Sequence, residues 1–173
     1  GKNPLADQSN LEVAYVNIEE NGKRAPIPYV LPPNIHRQVD YSNNNLDVQL
    51  NEQSISLRIQ KLKDGYGRAA FKKASFDLRP YGNLEFFVHA EGTDLRDREA
   101  QAFIRIGTDD KQHYYEYASD LYVTPSGSTS PYAIWPIENH ISVPLDLLTQ
   151  AKMVRDQAPR AGNPWPLDEP FVY

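Results

Sequence analysis

Apolar and polar positions alternate along most of this chain, and each alternating run stops at a turn signal. Leu11, Val13 and Tyr15 alternate with Glu12, Ala14 and Val16, which predicts a first strand over 11–18. The segment Glu20-Asn21-Gly22-Lys23 follows, with the Asn-Gly pair that supplies the positive φ of a tight hairpin turn. Residues 26–33 then place four prolines in eight positions. Proline has no N–H to give to a ladder, so this stretch predicts an extended surface connector that continues through residues 43–45.

Beyond the connector the alternation returns. Ile55, Leu57 and Ile59 against Ser54, Ser56 and Arg58 predict a half-buried strand, closed by a turn at Asp64-Gly65-Tyr66-Gly67. A weaker strand is expected over 70–78, where Ala74, Phe76 and Leu78 share a face, before a turn at Pro80-Tyr81-Gly82-Asn83. Residues 84–91 put Leu84, Phe86, Val88 and Ala90 on one side with Phe87 and His89 opposite, the two-sided pattern of an inner strand. Further strands are expected over 102–106, over the tyrosine-rich 113–123 and at Ile141 and Val143. Loops are expected at 91–99, 107–110 and 125–131.

One short helix is predicted over 145–153, with Leu145, Leu148 and Lys152 near one stripe and Asp146 in its first turn. Residues 154–170 show no periodicity, and residues 171–173 read as the start of a strand. Seven or eight short strands without βα alternation predict an all-β fold, a two-sheet antiparallel β-sandwich of jelly-roll-like type. A single domain over 1–173 is the expected organisation, with the connector at 26–45 and an irregular segment at 154–170.

Composition agrees with a folded domain and narrows its partners. Hydrophobic residues at 40% and charged ones at 24% exclude a wholly disordered chain. Net charge is -5 with both signs interspersed, so the basic footprint of a nucleic-acid binder is not expected. Cysteine is absent, which removes disulfides, thiolate metal sites and cysteine nucleophiles together. No apolar run approaches the roughly 20 residues of a spanning helix, so a soluble domain is expected. The opening Gly1-Lys2-Asn3-Pro4 lacks the form of a signal peptide and suggests a piece of a longer protein.

Few residues of the chain point to chemistry. His36, His89, His113 and His140 are scattered, and no two have the spacing of a helical zinc site. No nucleophile elbow, phosphate-binding loop or dinucleotide fingerprint is present. No catalytic, cofactor-binding or metal-ligating residue is therefore assigned. A structural Ca2+ near Asp94, Asp97, Asp109 and Asp110 is the less favoured reading of two acidic loops. Arg96 and Arg98 sit among the first group and neutralise it, so solvated turns are preferred. Among the aromatics, Trp135, Tyr114 and Tyr132 are candidate stacking residues for a sugar ring. They support a carbohydrate-binding module as the alternative function, against the plainer reading of aromatics that pack a core. A hydrolase with converging carboxylates is a third reading, but no spacing selects a pair.

Several stretches in order resemble one family. They are Leu31-Pro32-Pro33-Asn34-Ile35 with Arg37-Gln38, residues 51–58 (NEQSISLR), Phe87-Val88-His89-Ala90-Glu91, and residues 102–109 (AFIRIGTD). Tyr114-Tyr115-Glu116-Tyr117 and Ile134-Trp135-Pro136-Ile137-Glu138-Asn139, with residues 145–152, complete the set. The chain resembles the SprA (Sov) family of Bacteroidetes gliding motility and type IX secretion, from about Asn3 to Lys152. The resemblance implies one non-catalytic portion of a large outer-membrane protein-transport channel at the cell surface. It would act as a structural or protein-interaction module, on the periplasmic or extracellular side. Its partners would be other parts of the parent protein, secretion-system proteins or secreted cargo. Its strands are short, charged and interrupted by proline, unlike membrane barrel strands, so the segment itself is not expected to be embedded.

Overall fold

The structure, a computed structural model, describes residues 8–40, 48–160, 162–166 and 168–173. Mostly strands with few helices, it bears out the β-rich expectation. Backbone contacts group the chain into two compact units. One comprises residues 1–75 and 127–131, the other residues 76–126 and 132–173.

In the first unit, β1 (Asn10–Asn17) pairs antiparallel with β4 (Gln53–Gln60) along its whole length. Between them lie a single helical turn, α1 (Ile18–Asn21), and a two-residue pairing of β2 (Val39–Asp40) with β3 (Val48–Gln49). The expected Asn-Gly hairpin after β1 does not form. Asn17 Oδ1 accepts from the Glu20 N–H at 2.8 Å, and Asn21 Oδ1 accepts from the Asn17 N–H at 3.0 Å. This reciprocal capping satisfies donors that a helical turn leaves open, so the chain winds once and Gly22 stays at φ -64°.

The proline-rich connector is also more than a surface strap. Ile27 and Tyr29 are buried in it, and the Tyr29 hydroxyl pairs with Ser54 Oγ at 2.8 Å. Burial pushes the Tyr29 phenol up, and the bond with Ser54 only partly offsets this. Arg37 fastens the far end: its guanidinium donates to the carbonyls of Leu50 and Gln49 and to Glu19 of α1. The connector's predicted continuation at 43–45 lies outside the described residues.

The second unit contains two ladders. β5 (Asn83–Phe87) pairs antiparallel with β8 (His140–Pro144), and β6 (Gln101–Gly107) pairs with β7 (Tyr114–Asp120). In the first of these, Leu84 and Phe86 face Val143 and Ile141, the latter two buried. β5 is shorter than expected because the opposing chain enters a 3-10 turn at Ile137–Asn139, where the Val88 N–H makes a last bond to the Asn139 carbonyl at 3.1 Å. A helical turn, α2 (Pro131–Ile134), and a 3-10 turn at Ile137–Asn139 bring Ile134, Trp135 and Asn139 into this core.

The helix α3 (Asp146–Gln157) runs past the expected end at Met153. No breaker occurs before Pro159, and Ala158 ahead of it is extended at ψ 93°, as a residue before proline prefers.

Two predicted strands are corrected. Residues 70–78 take no regular structure, and Phe71 and Phe76 are exposed. Their alternation is weak, and a strand without a partner ladder has nothing to hold it. Residues 171–173 are not a strand either. Phe171 sets its ring edge-on to Trp165, and the Tyr173 hydroxyl donates to Gln150 Oε1 of α3. Among the described residues every ladder is two-stranded. The two broad sheets expected of a sandwich are thus replaced by separate pairs, because each strand found a single partner.

Candidate functional site

The β1–β4 ladder presents the most distinctive surface of the first unit. In its register Leu11 faces Ile59, Val13 faces Leu57 and Tyr15 faces Ile55. Residues directly opposite in an antiparallel pair share a face, so these six side chains form one apolar stripe. The other face carries Glu12, Ala14 and Val16 against Arg58, Ser56 and Ser54. It is this second face that leans on the connector, through Ser54 and the buried Tyr29.

Strand alternation then leaves the apolar stripe turned outward. Tyr15 is 70% exposed and Ile55 55%, with Val13, Leu57 and Ile59 also exposed. The half-buried strand expected from the alternation of Ile55, Leu57 and Ile59 is real, but its burial is inverted. Such a stripe offers on the order of 400 Å² of apolar surface, the size at which patches on monomers are often functional.

The aromatic residues proposed as sugar-stacking candidates occupy three different settings. Trp135 is only 7% exposed, with its ring edge-on to His89 at 5.9 Å between centroids. Tyr114 is half-buried beneath the Arg105 guanidinium, 4.3 Å from its ring centre, and Arg105 also pairs with Glu116 at 2.6 Å. Tyr132 alone is open, at 72% exposure.

The acidic loops turn their carboxylates toward their own backbone. Asp97 Oδ1 accepts from the Val123 N–H, and Glu99 Oε2 from the Arg96 N–H. Asp109 Oδ1 accepts from the N–H groups of Lys111, Gln112 and His113, while Oδ2 meets His113 Nδ1. These bonds hold the Asp109 carboxyl far below the usual carboxylate range, with the Gln112 N–H contributing most and the His113 ring next. Asp94 meets only the Thr93 hydroxyl at 3.5 Å, and Asp110 lends its backbone carbonyl to Arg105. Among the described residues no three His, Asp or Glu side chains converge as metal ligands.

One cluster has the outline of a hydroxyl–imidazole–carboxylate relay, which sequence reasoning missed. Thr124 Oγ1 lies 2.9 Å from His89 Nδ1, and His89 Nε2 lies 3.3 Å from Glu91 Oε2. A nucleophile in such a relay must reach substrate. Thr124 is buried, its hydroxyl donates to the Ile134 carbonyl at 3.1 Å, and its N–H is bonded to the Ala90 carbonyl. The cluster ties α2 to the strand end after β5, and its members lie 35 and 45 residues apart in the chain, so no local pattern announces it.

Charge is less evenly spread than the chain's total suggests. Residues 61–75, which follow β4 directly, carry Lys61, Lys63, Arg68, Lys72 and Lys73 against Asp64 alone. Among the described residues no helix is long and apolar enough to cross a membrane.

Compared with known families, residues 2–167 match the SprA_N model, described as a motility related/secretion protein. No curated protein matches the chain.

Proposed function

Because the chain belongs to the SprA_N family of motility-related and secretion proteins, we propose that it serves as a non-catalytic interaction domain of an outer-membrane secretion and gliding channel. It lies on the periplasmic or extracellular side and contacts other parts of its parent protein, a secretion-system protein or passing cargo. One observation carries this reading: the β1–β4 ladder turns Val13, Tyr15, Ile55, Leu57 and Ile59 outward instead of into its own unit. A two-stranded ladder is marginal by itself and gains stability when its apolar face is covered. In this reading the sandwich expected from the sequence is an assembled state, with the ladder as one layer and a partner as the other.

The test is a pair of charge substitutions on the stripe, Ile55→Lys with Leu57→Lys, placed in the parent protein. Secretion and gliding should fail while the separately made chain keeps its circular dichroism spectrum. Normal secretion and gliding by a stably produced double variant would overturn the proposal.

A further inference from the structure

Resting on that reading, we infer that the β1–β4 ladder docks an amphipathic β-strand whose one end is acidic. The occupant must match three properties of the surface. First, among the described residues no backbone hydrogen bond reaches residues 10–16 or Gln53–Gln60 from outside their own ladder. Both outer edges are therefore open rows of donors and acceptors. Lipid hydrocarbon cannot satisfy such groups, and a helix laid on the face leaves the edges unpaired. A strand satisfies an edge and extends the stripe with side chains of the same period.

Second, the stripe is too small to hold a free partner by area alone. At roughly 400 Å² it is about half of the ~800 Å² per partner of a stable interface. A strand on the edge adds backbone hydrogen bonds and widens the stripe into a three-stranded apolar face that a covering layer can then hold. Third, the charge is one-sided along the strand. Lys61 and Lys63 follow β4 directly with Asp64 as the single carboxylate in residues 61–75, whereas Arg58 on β4 already meets Glu12 at 3.9 Å. An incoming strand with acidic residues beside that end is complementary to it, and one with basic residues there is repelled.

The probe is a short synthetic peptide alternating valine and threonine, with aspartates at one terminus, made with the aspartates at either end. Controls carry lysines in their place or have the alternation scrambled. Fluorescence anisotropy with the 173-residue chain should show one aspartate version binding roughly tenfold tighter than its lysine counterpart, with the gap shrinking in high salt. Amide exchange should slow in residues 10–16 or 53–60 on binding. Lys61→Glu with Lys63→Glu lies outside the ladder, so the variant should stay folded and reverse the preference toward the lysine peptide.

Equal binding of the scrambled peptide would overturn the inference. So would capture of phosphatidylglycerol vesicles without peptide binding, or a dimer in sedimentation that occupies the edge. Failure of the secretion test with intact peptide binding would sink the functional reading instead and leave the strand-docking surface standing.

Discussion

The side-chain amide of Asn139 clamps the backbone of Tyr122 from both sides, accepting from its N–H and donating to its carbonyl, each at 2.8 Å. Asn139 is 1% exposed, so neither bond can be replaced by bulk water. Asn139→Ala would orphan a donor and an acceptor at once. The expected loss is about 2–4 kcal/mol in urea unfolding of the second unit, from the desolvation cost of two unpaired groups. Asn139→Asp should fare no better, since a carboxylate cannot donate to the Tyr122 carbonyl.

Trp135 should behave as a core residue. Trp135→Ala removes a buried ring beside His89 and Ile134, and a loss of about 3–5 kcal/mol is expected. Thermal unfolding checks the stability. A glycan array checks the competing role, and specific sugar binding that vanishes in a still-folded Trp135→Ala variant would contradict this placement.

Gly107 closes the β6–β7 hairpin where a methyl group would overlap the His113 carbonyl oxygen and crowd Tyr114. Gly107→Ala must push one strand away from the other. A destabilisation of about 1–3 kcal/mol is expected, with faster amide exchange at Thr108, whose N–H bonds that same carbonyl.

The loop of this hairpin should depend on the Asp109 charge. Its folded pKa is depressed, so its contribution is complete above the ordinary carboxylate pKa and is lost as pH falls toward the folded value. Wild-type amides at Lys111, Gln112 and His113 should stay protected through mild acid and open only in strong acid. In Asp109→Ala they should exchange fast even at neutral pH. Unchanged protection in that variant would show that the loop is held by something other than this carboxylate.

Local patterning was a good guide to which residues form strands. Ile55, Leu57 and Ile59, the Ala102 to Ile106 run, the Tyr114 region and Ile141 with Val143 all lie in ladders. It failed where a local signal was outweighed by a nearby bond, as at Asn21-Gly22, or where no partner strand was available, as at 70–78. The candidate surface was half legible. The stripe on 53–60 was plain in the alternation, but its outward orientation depends on Tyr29 and Ser54, which lie 25 residues apart. The buried cluster of Thr124, His89 and Ile134 carried no signal, because a core threonine or histidine is spelled like any other.

By itself, then, the sequence determined a β-rich chain without cysteine, the positions of most strands and of the one sustained helix, and the likeness to a secretion family that the comparison bore out. Tertiary structure alone decided that β1 pairs with β4 and β5 with β8, and which face of the β1–β4 ladder meets solvent. The reason is the period of a strand. Alternation states that two faces differ, but both faces are equally ready to turn inward until another segment packs on one of them. Here the connector meets the serine-bearing face at Ser54, and the apolar face stays exposed.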